Sequence, residues 1–141
     1  IFHDAVYVPG ASDNEAASWE LAAPYLGQQL MLGPYLSGDV RDLIMATTHD
    51  HIPTDPDERL MVDLDLFSLS KPYLQFLRDG VLIKQEYVPG RCTNAEFKTG
   101  RAKFFEQMLE RDRIFLTPLF QPYEDRAQMN LQQGLKSLRA A

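Results

Sequence analysis

The chain has 141 residues, of which 45% are hydrophobic and 24% charged, enough apolar material for one globular domain with a buried core. This composition excludes collagen-like, disordered and disulfide-scaffold proteins. The formal net charge of -6 argues against nucleic acid as the main partner, because a phosphate-binding surface carries the opposite sign.

The sequence also bears on location. No apolar run approaches the roughly 20 residues that span a bilayer, so we expect no membrane segment. The single cysteine, Cys92, cannot form an internal disulfide, and the start of the chain lacks a signal-peptide pattern, so we expect a cytoplasmic protein. The first residues contain neither a methionine nor a helix-capping signal, and we expect further residues upstream of Ile1.

The elements predicted in chain order are all helices. Prolines and glycines divide the chain into stretches of helical length, none of which shows the alternation typical of a strand. The predicted helices cover about residues 13–31, 39–48, 57–69, 73–83, 94–109 and 118–138. The expected fold class is therefore a single all-α domain, a bundle of six or seven helices.

Three motifs mark predicted helix starts. Ser12 to Glu15 and Thr93 to Glu96 have the sequence of a capping box, in which hydroxyl and carboxylate each accept a backbone N–H bond. Thr117-Pro118 predicts an N-cap followed by proline in the first turn. Helical spacing predicts two buried faces in particular. They are Ala16, Trp19, Ala23, Leu26 and Leu30 in the first helix, and Tyr73, Phe76, Leu77 and Ile83 in the fourth.

Histidine-aspartate pairs are the first sign of chemistry. Two of the three histidines are followed directly by aspartate, in His3-Asp4 and His49-Asp50, whereas random order would give about 0.3 such pairs. Imidazole nitrogen and carboxylate oxygen are ligands that divalent cations accept. On a helix, adjacent side chains lie about 100° apart, so one pair can bind one ion or flank two. A hydrogen-bonded helical pair without metal is the alternative.

Two aspartates, Asp63 and Asp65, lie in a predicted helix that is apolar nearly all round. A buried carboxylate must meet a cation, a metal or backbone donors, because burying it unpaired costs several kcal/mol. Two residues apart on a helix, their side chains point about 200° away from each other. We therefore expect only one of them to face a shared site.

Several segments together resemble the HD-domain superfamily of metal-dependent phosphohydrolases, and in particular a bacterial branch without assigned substrate. The order and spacing of these segments, which extend along essentially the whole chain, carry the resemblance. They are Ile1 to Tyr7, Ser12 to Glu15, Ala46 to His49, Asp63 to Leu66, Ile83 to Tyr87, Phe97 to Arg101, Arg113 to Phe115 and Arg126 to Leu131.

The resemblance implies an all-helical fold in which an upstream histidine, a His-Asp pair and a distal aspartate bind one or two divalent metal ions. Carried onto this chain, the pair is His3 and Asp4, and the distal aspartate is Asp65, with Asp63 as second choice. The upstream histidine would fall before Ile1. His49 matches a histidine of the branch and is a further candidate ligand. Thr48 departs from the branch, which has a lysine there that would contact phosphate.

The implied reaction is hydrolysis of a phosphate ester, a nucleotide being one candidate, by a metal-activated water. The metal would be Mn, Mg, Fe, Ni or Zn. Asp4 would also orient the water, Glu15 is the candidate general acid or base, and Arg101 is the candidate phosphate ligand.

Less specific interpretations stay open. His49 would also be explained by a favourable interaction with a helix C-terminus, and Glu15 by its capping box. A buried polar network would explain the residues that match the branch in the C-terminal half, and it is the preferred interpretation for all of them except Arg101; they are Glu86, Tyr87, Arg101, Arg126 and Asn130. At the level of function, the alternatives are a non-catalytic HD module that binds metal or nucleotide, and a helical interaction domain with a vestigial motif.

Overall fold

The computed structural model describes residues 2–8, 11–28, 31 and 33–140. Within these residues it contains six α-helices and no β-strand, which confirms the predicted all-α class. The α-helices are α1 (Asn14–Gln28), α2 (Pro34–Ala46), α3 (Pro56–Leu66), α4 (Tyr73–Tyr87), α5 (Asn94–Leu109) and α6 (Glu124–Ala140), and two short 3-10 helices cover Phe67–Ser70 and Gln121–Tyr123. None of the helices in the described ranges is both long and apolar enough to cross a membrane.

The backbone divides into two compact units at Val62/Asp63, a point inside α3. In the N-terminal unit, α1 packs against α2. The core of this unit consists of Ala22 and Leu26 from α1 and Ile44 from α2. Three partly buried side chains surround it, namely Phe2, Trp19 and Val40.

The buried face of α1 differs from the predicted one. Its buried residues are Asn14, Ser18, Ala22 and Leu26, whereas Ala16 is exposed. Hydrophobicity alone could not identify this face, because two of its four positions are polar and satisfied by hydrogen bonds to the preceding segment.

The ends of α1 also differ from the prediction. The helix starts with the bond from Ala17 N to Asp13 O, 2.9 Å, so Asp13 and not Ser12 immediately precedes it, and Ser12 does not occupy the predicted N-cap position. At the other end, Gln29 and Leu30 lie outside the described residues, and Met31 has a non-helical φ of 50°.

In the C-terminal unit, α6 packs against α4, α5 and both 3-10 helices. Its core is apolar and largely aromatic, with Phe76, Phe105, Met108, Ile114, Phe115, Phe120, Ala127 and Leu131 buried. Gly134 of α6 is also buried, and a Cβ atom there would lie 2.8 Å from Phe105 Cε2 and 3.2 Å from Phe76 Cε1. The absence of a side chain at residue 134 is therefore what allows α6 to lie this close to both rings.

Other predicted boundaries were partly right. The capping box at Thr93 is confirmed, since Glu96 N donates to Thr93 Oγ1 (3.2 Å) and Thr93 N donates to Glu96 Oε2 (2.8 Å). Helix α2 begins at Pro34 rather than Asp39, because proline is well accommodated in a first helical turn.

The predictions for α3, α4 and α6 need correction as well. Helix α3 ends at Leu66, with a 3-10 helix after it, and Leu64 is exposed, so α3 is not apolar and buried all round. Leu77 of α4 is exposed rather than buried. Helix α6 begins at Glu124, and Thr117 is not its N-cap, because the 3-10 helix intervenes and Thr117 bonds to Asp63 instead.

Candidate functional site

His3 and Asp4 lie in a turn and not in a helix. The turn is closed by a hydrogen bond from Ala5 N to Phe2 O, 3.1 Å. His3 Nε2 lies 3.0 Å from Asp4 Oδ2. The imidazole is largely covered, with 21% of the side chain exposed, whereas the Asp4 side chain is 60% exposed. The turn thus presents a nitrogen and an oxygen donor side by side, with the oxygen open to water.

Two polar side chains of α1 attach the segment that follows this turn. Ser18 Oγ accepts from Val6 N at 3.0 Å and donates to Val6 O at 3.1 Å. Asn14 Oδ1 accepts from Val8 N at 2.7 Å, and Asn14 Nδ2 donates to Val8 O at 3.0 Å. Each side chain therefore satisfies both backbone groups of one residue.

Phe2 attaches the other side of the turn. Its ring packs against the core of α1 and α2, and its centroid lies 6.2 Å from that of Tyr25. His3 and Asp4 are thus placed between an apolar anchor and a hydrogen-bonded one. Asn14 and Ser18 were not predicted to have this role, although two short polar residues four positions apart on one helix face can both bond to a segment that lies along the helix.

His49 follows the C-terminus of α2. Its backbone has φ 59°, in the left-handed region, and His49 N donates to Ala46 O at 3.4 Å. Nδ1 of its imidazole is buried. Asparagine, aspartate and histidine adopt this region more often than other residues apart from glycine, and here it turns the chain after α2. Thr48, which stands in place of the expected lysine, donates from Oγ1 to Met45 O at 2.9 Å.

Asp63 is fully buried and its carboxylate is occupied by backbone and hydroxyl donors. Oδ1 accepts from Leu116 N at 2.6 Å, and Oδ2 accepts from Thr117 N at 2.8 Å and from Thr117 Oγ1 at 2.5 Å. These donors meet the requirement that a buried carboxylate be compensated. The position of Asp63 in α3 is therefore explained by its attachment of the segment before α6.

Glu124 completes this attachment. It is buried at the start of α6, and its two carboxylate oxygens accept from Ile114 N (2.9 Å) and Phe115 N (3.0 Å). Four consecutive amides, from Ile114 to Thr117, thus donate to two carboxylates. Asn130, for which a structural network was one interpretation, is buried and donates to Leu69 O and Lys71 O at 2.7 and 2.8 Å.

The remaining candidates are Asp65, Glu15 and Arg101. Asp65 is half-buried near the end of α3, on the side opposite Asp63 by helical periodicity. Glu15 is half-buried in the first turn of α1. Arg101, in α5, places its guanidinium carbon 4.8 Å from the ring centroid of Phe105 and 5.9 Å from that of Phe104. Cation–π contact with these two rings helps to hold the Arg101 side chain in this position.

No family model, curated protein or solved structure matches the chain. A function must therefore be proposed from the side chains themselves. Of the candidate metal ligands, Asp4 is exposed, His3, His49 and Asp65 are half-buried, and Asp63 is fully buried.

Proposed function

We propose that the protein is a metal-dependent phosphohydrolase of the HD type, in which His3, Asp4 and Asp65 bind a divalent cation. The observation that carries the proposal is the 3.0 Å separation of His3 Nε2 and Asp4 Oδ2 in an anchored turn. The sequence resemblance supplies the reaction class and the third ligand.

The two donor atoms of the turn fit a shared cation. Two neighbouring ligand atoms in an octahedral shell, each about 2.1 Å from the ion, are about 3.0 Å apart, and a direct hydrogen bond between the two side chains has the same length. The pair also combines one imidazole with one carboxylate, the mixture that Mn, Fe, Ni and Zn accept. Little rearrangement of His3 or Asp4 would be needed, because the segments on both sides of the turn are attached to α1.

Asp65 is a better candidate than Asp63 for the third ligand. Three hydrogen bonds already occupy the Asp63 carboxylate, and metal binding there would release the segment that contains Leu116 and Thr117. Asp65 is accessible to solvent, and its side chain points away from that segment.

The role proposed for each residue comes from the resemblance and from the chemistry of its side chain. A bound cation would lower the pKa of a water molecule and polarise a phosphoryl oxygen. Asp4, with its exposed carboxylate, would orient the attacking water. Glu15 would transfer a proton as general acid or base, and Arg101 would contact the phosphate of a nucleotide or another phosphate ester.

The first experiment is elemental analysis of the purified chain after reconstitution with Mn²⁺, Fe²⁺, Ni²⁺ or Zn²⁺. We expect about one equivalent of one of these metals in the wild type and its loss in Asp4→Ala and Asp65→Asn. The matched control is Asp50→Ala, because Asp50 is also exposed and also follows a histidine. Equal metal content in Asp4→Ala and Asp50→Ala would contradict the proposed ligand set.

The second experiment measures release of inorganic phosphate from a panel of phosphate monoesters and diesters that includes nucleotides. Turnover that is lost in Asp4→Ala and kept in Asp50→Ala would support the phosphohydrolase. Stoichiometric metal without turnover on any ester would instead support the alternative of a non-catalytic binding module. If no preparation contained metal, the alternative of a helical interaction domain would be the interpretation that remains.

A further inference from the structure

We draw no further inference here: the strongest candidate, the exposed apolar face of α4 formed by Leu74, Leu77, Val81 and Leu82, carries no proposal because nothing in the described residues shows what covers it.

Discussion

Ser18 binds Val6 through both backbone polar groups of that residue, with Oγ 3.0 Å from Val6 N and 3.1 Å from Val6 O. Ser18 is fully buried on α1, so these bonds have no competition from water. Ser18 thus bonds to both backbone polar groups of Val6, as an adjacent strand would do in a β-sheet. The segment that it attaches follows directly after His3 and Asp4. The stability of the N-terminal unit and the geometry of the candidate metal site therefore depend in part on this hydroxyl group, together with Asn14 and Phe2.

Ser18→Ala should weaken both stability and metal binding. The backbone groups of Val6 lose their partner, which costs about 1 to 3 kcal/mol. Thermal unfolding should show a lower Tm, and titration with Mn²⁺ or Zn²⁺ should show weaker binding because the turn is less ordered. A matched control is Ala17→Ser, which adds a hydroxyl at the neighbouring half-buried position and should change metal affinity little. Unchanged Tm and affinity in Ser18→Ala would contradict the anchoring role.

Asp63 and Asp65 should respond differently to the same substitution. Asp63→Ala leaves the amides of Leu116 and Thr117 without their acceptor and should lower the free energy of unfolding by roughly 3 kcal/mol. Asp65→Ala should lower it much less, since Asp65 is half-buried, but should reduce metal binding. Urea unfolding of both variants, together with elemental analysis, measures the contrast. An equal loss of stability in the two variants would contradict this prediction.

Gly134→Ala should destabilise the C-terminal unit although alanine is the better helix former. The added methyl group would lie 2.8 Å from Phe105 and 3.2 Å from Phe76, both buried, so α6 or the rings must move. Overpacking of this kind costs about 1 to 3 kcal/mol, more than the helix-propensity gain of about 1 kcal/mol.

Gly100→Ala is the matched control for this prediction. Gly100 is inside α5 and exposed, and a Cβ atom there meets nothing within 4 Å. This variant should therefore raise Tm slightly through helix propensity alone. Thermal unfolding of both variants tests the prediction. A higher Tm for Gly134→Ala would contradict it, because it would mean that Phe105 and Phe76 can move to accommodate the methyl group at little cost.

The capping box of α5 should make stability depend on pH. Hydrogen bonds from the Thr93 backbone N–H, and then from its hydroxyl, lower the pKa of Glu96 below its ordinary value of 4.5. A carboxyl group with a lowered folded-state pKa stabilises the protein above its unfolded-state pKa, and this contribution is lost as pH falls through the folded-state value.

The measurement for this prediction is Tm against pH for the wild type and Glu96→Gln, since glutamine can still reach the Thr93 backbone N–H without the charge. The difference in Tm should be largest above pH 4.5 and should shrink as the pH falls below it. Glu110→Gln, at an exposed position after α5, controls for the general loss of one negative charge. A difference that is constant over this pH range would contradict the prediction.

The sequence by itself determined the helical class and several helix boundaries, because proline, glycine and capping signals are local. Thr93 and Glu96 form the capping box that their spacing predicted, since both partners lie within one helical turn. The choice of His3 and Asp4 as a candidate pair also came from sequence, whereas the 3.0 Å separation of their ligand atoms depends on the turn conformation.

Only the tertiary structure decided which polar residues are structural. Asp63 bonds to residues more than 50 positions away, Thr117 bonds to Asp63 rather than capping α6, and the buried face of α1 includes Asn14 and Ser18. Each of these outcomes depends on a partner that is distant in the sequence or in another element. Local periodicity records the hydrophobicity of a face, whereas the burial of a polar side chain depends on donors and acceptors that folding brings to it.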